Sequence, residues 1–239
     1  MTKPIDIDAV TEATWPPASI TQHGPWRVRE GRSGGQRVSA TTANGPVNAS
    51  DIAQAEAAMA ALGQTPLFMV RPSDAALDGL LDAQGYLRHD PVVIYAAPVT
   101  TLADPALSPM AAFTIWPPLG IATQLWAEAG IGAGRLAVMD RTQGPKTCLL
   151  GRVNDRAAGV AFIACHGKTA MLHALEISPS QRRNGAARNM MRAAAVWAAD
   201  QGADTLCLAV TENNIAARAL YANLGMDEVG AYHYRVKQG

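Results

Sequence analysis

The sequence predicts an α+β fold (mixed α/β) with two domains, each a mostly antiparallel mixed sheet flanked by helices. Two observations lead to this prediction. Apolar runs with the alternation of strands are separated by helical runs that stop at glycines, and one strand, turn, helix and glycine pattern occurs twice, about 140 positions apart. A chain of 239 residues can bury two separate cores.

The repeated pattern aligns "PLFMVRPSDAALDGLLDAQGY", near residue 66, with "TLCLAVTENNIAARALYANLGM", near residue 205. Both copies read as a strand, a polar turn, a short helix and a glycine, and both continue into an apolar strand. The alignment pairs Val70 with Val210 and Gly85 with Gly225. This register favours an internal duplication.

The domain boundary is expected in the segment "APVTTLADPALSPM", which is rich in Pro, Thr and Ala. We predict a first domain at 1–100, a linker at 101–112 and a second domain at 113–239.

The composition excludes several classes of protein. Lys and Arg total 20, as do Asp and Glu, so bulk charge gives no reason to expect a nucleic-acid or membrane partner. No segment has the pattern of a signal peptide or a membrane span, and we expect a cytoplasmic protein. The cysteines are three, scattered and set in apolar runs, which favours buried reduced thiols over disulfides or metal ligands.

The second half is expected to begin with an antiparallel meander. Turn signals in "TQGP", "NDR" and "HGK" separate four apolar runs. We therefore predict four hairpin-linked strands, at 135–141, 146–153, 157–165 and 169–177. A helix at 185–201, a strand at 205–210, a helix at 214–224 and a last strand complete the domain.

The segment "SPSQRRNGAARNMM", residues 178–191, joins the fourth of these strands to the long helix. Unpaired backbone N–H groups and the positive end of the helix dipole face one spot there, which favours anion binding. Gly185 lets a ligand approach the backbone, and Arg182 and Arg183 supply charge-assisted donors. The alternative is an ordinary helix start with solvated surface arginines.

Two motifs of this half resemble those of the GCN5-related N-acetyltransferases (GNAT). The family's phosphate loop reads Gln or Arg, two free positions, Gly, one free position, then Gly or Ala, and "RRNGAA" at 182–187 fits it. The family also has an Asn that opens a helix carrying a Leu-Tyr pair, as in "NNIAARALYANLGM". The resemblance covers about 111–239. The first half resembles a degenerate GNAT-like copy, so the whole would be a tandem form. In that copy Leu81 and Asp74 stand in the places of Tyr221 and Asn214, and no arginine-glycine loop precedes the helix, so we do not expect residues 1–100 to bind CoA.

The resemblance implies direct transfer of an acetyl group from acetyl-CoA to a primary amine. Tyr221 would protonate the leaving CoA thiolate, since a phenol with a pKa of about 10 stays protonated at neutral pH. The strand edge at Leu175 and Ile177 would pair with the pantetheine amides. The other residues that the resemblance assigns to CoA binding are Arg182, Arg183, Asn184, Gly185, Ala186, Ala187, Arg188 and Asn214.

Two residues are candidates for the general base. His173 lies on the strand that leads to the loop, and a side chain of near-neutral pKa suits proton removal from an amine. His173 could equally be a hydrogen-bonded core residue. Glu176 is the second candidate, although its carboxylate could instead balance a loop arginine. His166 and His233 are weaker candidates.

The competing hypothesis is a non-catalytic module that binds or senses acyl-CoA through the same loop. A sensor needs no proton donor beside the CoA sulfur, so the presence of Tyr221 favours the enzyme hypothesis. The acceptor is expected to be a small-molecule or peptide amine, and a peptide N-terminus, a lysine, a polyamine, an amino acid and a drug all stay open. We expect no metal, no nucleic acid and no membrane partner, and a monomer or homodimer.

Overall fold

The computed structural model describes residues 5–104 and 107–237. In chain order the elements are α1 (Ile7–Thr14), β1 (Ser19–His23), β2 (Trp26–Glu30), α2 (Gln36–Ser39), β3 (Thr42–Ala43), α3 (Ala49–Ala61), β4 (Leu67–Val70), α4 (Ala75–Ala83), β5 (Tyr86–Pro98), α5 (Val99–Leu102), β6 (Ala112–Ile115), α6 (Gly120–Glu128), α7 (Ala133–Arg141), β7 (Lys146–Val153), β8 (Arg156–His166), β9 (Thr169–Ile177), α8 (Ala186–Asp200), β10 (Thr205–Thr211), α9 (Ile215–Asn223) and β11 (Asp227–Lys237). Short 3-10 turns precede α4 and α8.

The chain divides into two compact units, each built from separate stretches of sequence. Unit 1 contains the described residues of Met1–Pro16, Ile94–Val210 and Asn214–Val229. Unit 2 contains those of Pro17–Val93, Thr211–Asn213 and Gly230–Gly239. These units differ in their bounds from the contiguous domains predicted at 1–100 and 113–239, because α1 belongs to unit 1 and most of β11 to unit 2. The predicted boundaries, as those of independently folding domains, stay a prediction.

Unit 1 contains a mixed sheet with hydrogen-bonded order β10-β9-β8-β7-β6. β6, β7, β8 and β9 pair antiparallel with their neighbours, whereas β10 runs parallel to β9. The helices α1, α6 and α8 pack against strands of this sheet. The predicted mixed α/β class, with sheets flanked by helices, is confirmed.

Helix α8 lies close against the sheet because two strand positions lack a side chain. A Cβ on Gly151 would lie 2.5 Å from the sulfur of Met190, and one on Gly159 would lie 3.1 Å from the same sulfur. Met190 is fully buried, and burial of such a side chain contributes roughly 1.5–3 kcal/mol. This packing fixes where α8 begins relative to the end of β9.

Unit 2 has a small sheet, β1-β2-β3, and a core that includes Trp26, Phe68 and Tyr86. Strand β4 pairs antiparallel with residues 233–236 of β11. Arg235 of β11 donates to Asp78 and Asp82, each at 2.7 Å, and to the carbonyl oxygen of Tyr86 at 2.8 Å. Most of the last strand of the sequence therefore belongs to unit 2.

One predicted strand is wrong. Residues 135–141 lie in the helix α7 and form no strand. The strand that pairs with β7 on the side away from β8 is β6. The run "RLAVMDR" is short, and its adjacent buried residues, Val138 and Met139, fit one face of a helix and do not alternate as strand residues would. The strand predicted at 169–177 is confirmed, and α8 and α9 begin and end within one residue of their predicted bounds.

All three cysteines are buried thiols, as the sequence predicts. Burial raises the pKa of Cys148 to about 12 and that of Cys165 to about 11, so both thiols stay protonated at neutral pH. Between residues 5 and 104 and between 107 and 237, no helix has the length and apolarity needed to cross a membrane.

Candidate active site

The loop between β9 and α8 presents an open helix start. After Ile177 a 3-10 turn covers Pro179–Gln181, and then Arg183, with φ 66°, and Gly185, with φ 79°, take left-handed conformations. No side chain caps the first turn of α8. Successive N–H groups in such a turn form an anion-binding concavity at the positive end of the helix dipole.

The loop arginines add positive charge to this concavity. Arg182 and Arg183 are exposed, as are Asn184, Gly185 and Arg188, whereas Ala186 is buried under the loop. The Arg182 Nε donates to the carbonyl oxygen of Ile177 at 3.2 Å, which holds the side chain beside the strand end. The structure thus brings the predicted phosphate-loop residues together around one helix start.

Strands β9 and β10 separate next to this loop. Their parallel register runs from Thr169 with Thr205 to Leu172 with Leu208, although β9 continues to Ile177 and β10 to Thr211. The separation coincides with a β-bulge in β9, where the register with β8 shifts and Ala174 has φ 50°. The predicted edge at 175–177 therefore lies past the last β9–β10 pair.

An indole supports the bulge. Trp126 of α6 is fully buried, and its Nε1 donates to the carbonyl oxygen of Ala174 at 2.9 Å. Neither residue was predicted from the sequence. A bulge depends on pairing between strands, and neither the bulge nor its partner on α6 leaves a local pattern in the sequence.

Tyr221 lies on α9, with only 6% of its surface exposed. Asn214 opens this helix, and its Oδ1 accepts from the Ala217 N–H at 3.1 Å. Burial, and then the negative charge of nearby Glu176, raise the pKa of Tyr221 to about 12. The phenol is therefore protonated at neutral pH, as a proton donor must be.

Glu176 lines a cavity of about 220 Å³ at the end of β9. The cavity is bounded by Leu125, Glu128, Ala129, Glu176, Ile177, Ser178, Pro179 and Arg182. Burial raises the pKa of Glu176, while the positive charges of Arg182 and Arg135 act in the opposite direction. A carboxylate of raised pKa is a stronger base than an exposed one.

The structure places His173 in the core of unit 1. The side chain is 4% exposed, and its Nε2 lies 2.9 Å from the Thr14 Oγ1. The ring packs on that of Trp15 with centroids 4.9 Å apart. His173 is absent from the lining of the cavity that contains Glu176. The sequence could not place α1 beside β9, because the two are far apart in the chain.

The two weaker histidine candidates lie elsewhere. His166 borders a cavity of about 410 Å³ in unit 1, at the turn between β8 and β9. His233 belongs to unit 2, where its Nε2 lies 2.7 Å from Asp78. Among the described residues, no group of three or more His, Cys, Asp or Glu could hold a metal ion.

The fold resembles solved acetyltransferase structures over nearly the whole chain. A GCN5-related N-acetyltransferase from Kribbella flavida aligns with a TM-score of 0.72 and 16% identity, covering 95% of this chain and 92% of that one. A tandem GNAT protein from the clavulanic acid biosynthesis pathway aligns with a TM-score of 0.60 and 15% identity, covering 82% and 74%. At these identities the likeness shows the fold alone.

Part of the second half of the sequence matches a family model. Residues 133–226 match the model described as "Acetyltransferase (GNAT) family". An uncharacterized N-acetyltransferase, YobR, of Bacillus subtilis (strain 168) is 32% identical over 62 residues, which cover 26% of this chain and 25% of that relative. The match thus spans a quarter of the relative's length. Residues 133–226 are thus similar to the GNAT acetyltransferases.

Proposed function

We propose that the protein is an N-acetyltransferase that moves an acetyl group from acetyl-CoA to a primary amine by direct attack. The observation that carries this proposal is the uncapped start of α8 beside the separated ends of β9 and β10. The proposal extends to the whole chain as a tandem form, in which residues 1–100 are a degenerate copy that binds no CoA. Its likeness in fold to a tandem GNAT protein supports that extension.

The co-substrate would be held largely by backbone. The N–H groups from 183 to 188 would bind the pyrophosphate, with charge from Arg182 and Arg183, because phosphate binds at open helix starts. The edge at Leu175 and Ile177 would pair with the pantetheine amides like an added strand. Asn214 uses its Oδ1 to cap α9, so its Nδ2 would be the group that donates to CoA.

Two side chains would accept and donate the protons of the reaction. As the amine nitrogen forms its bond to the acetyl carbon, Glu176 would take the surplus proton from nitrogen. As the carbon–sulfur bond breaks, Tyr221 would donate its phenolic proton to the leaving sulfur. The proton that Glu176 gains would then return to the Tyr221 phenolate and close the cycle.

Glu176 fits the role of base better than His173. The carboxylate lines the cavity at the loop, whereas His173 is buried against Thr14 and Trp15. The acceptor would be a small-molecule or peptide amine that enters this cavity. The protein would act in the cytoplasm, as a monomer or homodimer, without nucleic acid or membrane.

The first test is calorimetric titration of acetyl-CoA into the protein, followed by an amine screen that detects released CoA thiol with a thiol reagent. The raised pKa values of Cys148 and Cys165 keep the background reaction low. We expect one site per chain and turnover with at least one amine. Binding without turnover of any amine would favour an acyl-CoA sensor, and absence of binding would refute both functions.

The base is tested by pH profiles. We expect Glu176→Gln to remove the rise of kcat/KM with pH that reports deprotonation of the base, with acetyl-CoA binding retained. His173→Asn should lower stability, because it disrupts the buried contact with Thr14, and should keep that rise. If the rise of kcat/KM with pH is lost in His173→Asn and kept in Glu176→Gln, His173 is the base.

A further inference from the structure

Tyr95 is an aromatic neighbour of Tyr221. Tyr95 lies on β5, in the part of that strand that belongs to unit 1, and is 3% exposed. Its ring packs against that of Tyr221 with centroids 5.6 Å apart and an interplanar angle of 51°. Any movement of Tyr95 therefore changes the space that the Tyr221 ring can occupy.

A closed set of hydrogen bonds fixes Tyr95. Its hydroxyl donates to the Glu228 Oε1 at 2.6 Å, and the Arg218 Nε donates to that hydroxyl at 3.3 Å. The Arg218 Nη2 also donates to Glu228 at 3.1 Å. Arg218 and Tyr221 are three residues apart on α9, so they lie on the same side of that helix. The hydroxyl of Tyr95 thus ties α9 to β5 beside Tyr221.

We propose that Tyr95 is a positioning residue that holds the Tyr221 hydroxyl where it can protonate the leaving sulfur. This inference rests on the proposed function. Helix α9 has nine residues, and a misplacement of about 1 Å at a reacting group can cost about a hundredfold in rate. Tyr95 lies within residues 1–100, which the sequence assigns to the degenerate copy. The first half of the sequence would thus supply part of the catalytic unit.

A double-mutant cycle separates positioning from general stabilisation. We expect Tyr95→Phe, which keeps the ring and removes the hydroxyl, to lower kcat about tenfold with little change in KM for acetyl-CoA. In a Tyr221→Phe background, Tyr95→Phe should lower kcat no further, because the group it positions is gone. Equal effects in both backgrounds, or an unchanged kcat in the single variant, would overturn the proposal.

Unit 2 offers a matched control. Tyr86 is also buried, and its hydroxyl also donates to a glutamate, the Glu56 Oε1, at 2.6 Å. Tyr86→Phe removes the same kind of hydrogen bond from unit 2, which does not contain Tyr221. We expect it to lower the unfolding midpoint and to leave kcat unchanged. If Tyr86→Phe lowers kcat as much as Tyr95→Phe does, loss of stability explains both variants.

A readout without turnover keeps this proposal separate from the proposed function. In protein labelled with 13C-tyrosine, we expect Tyr95→Phe to shift or broaden the ring signals of Tyr221, and Tyr86→Phe to leave them unchanged. Unchanged Tyr221 signals in Tyr95→Phe would overturn the positioning role. If the wild type transfers no acetyl group while the Tyr221 signals still respond, the proposed function fails and the structural coupling stands.

Discussion

The helices α8 and α3 begin in different ways, and the difference separates a candidate ligand site from a structural helix start. In unit 2, α3 follows Asn48, whose N–H donates to the carboxylate of Asp51 in the first turn at 2.8 Å. In unit 1, α8 follows Gly185 and has no side-chain cap. A carboxylate at a helix start occupies the place of an anion, whereas an uncapped start leaves that place to a ligand.

The helices α9 and α4, which follow the next strand in each half of the sequence, differ in a similar way. Helix α9 carries Tyr221, whose hydroxyl can exchange a proton, and α4 carries Leu81 at the aligned position, fully buried in the core of unit 2. If residues 1–100 are a degenerate copy, as proposed, both the open helix start and the acid are replaced there by groups that stabilise the fold.

The largest effect is expected from a carboxylate placed in the open helix start. Ala187→Glu puts a negative charge in the first turn of α8, where it would repel the pyrophosphate and weaken acetyl-CoA binding by roughly a thousandfold. Because an acidic residue in the first turn favours a helix, the fold should survive. Calorimetric titration gives the affinity, and circular dichroism gives the helix content.

The matched control for that variant is Ser50→Glu. Ser50 is exposed at the second position of α3, as Ala187 is the second residue of α8. Acetyl-CoA affinity should not change in Ser50→Glu. A loss of affinity in both variants would mean that the open start of α8 is not the binding site.

The next largest effect concerns the acid. Tyr221→Phe should lower kcat about a hundredfold, since general acid catalysis contributes about that much, while the dissociation constant for acetyl-CoA stays within about twofold. Steady-state kinetics and calorimetry on the same preparation check both values. A variant that keeps full kcat would remove Tyr221 from the mechanism and weaken the contrast with Leu81.

The sequence predicted the local features of this site and missed the nonlocal ones. The span of β9, the start of α8 and the cap at Asn214 follow from turn residues, glycine and helix periodicity, which are properties of neighbouring positions. The bulge at Ala174 and the contact of Tyr95 with Tyr221 depend on pairing between distant segments. The run at 135–141 was assigned to a strand because a short apolar run has no clear period.

The third largest effect is expected from a substitution that opens the helix start of α3 in unit 2. Asp51→Ala should lower the free energy of unfolding by about 1 kcal/mol, because the N–H of Asn48 loses its acceptor. The stoichiometry of acetyl-CoA binding should stay at one per chain, since opening α3 supplies neither the glycine nor the arginines of the α8 loop. Urea unfolding measures the first quantity and calorimetry the second. A second CoA site in this variant would show that Asp51 alone closes unit 2 to the ligand.

The smallest effect expected is on the pH dependence of stability, which should have opposite signs for Glu56 in unit 2 and Glu176 in unit 1. Hydrogen bonds from Tyr86 and then Lys237 hold the pKa of Glu56 in unit 2 below its usual range. A lowered pKa stabilises the fold above the unfolded pKa, and this contribution is lost as the pH falls through the folded value. Glu56→Gln should therefore be less stable than wild type by about 1 kcal/mol at pH 7 and equal to it near pH 3.

Glu176 in unit 1 should give the opposite sign. Burial raises its pKa, so the folded state favours the protonated form, and that contribution is present at low pH and lost as the pH rises through the folded value. Glu176→Gln should then be more stable than wild type at pH 7, by less than about 1 kcal/mol, and equal to it near pH 3. Urea midpoints at the two pH values decide this. A loss of stability at pH 7 in Glu176→Gln would mean that the loop arginines outweigh burial, and that Glu176 is an ion-pair partner with no tendency to act as a base.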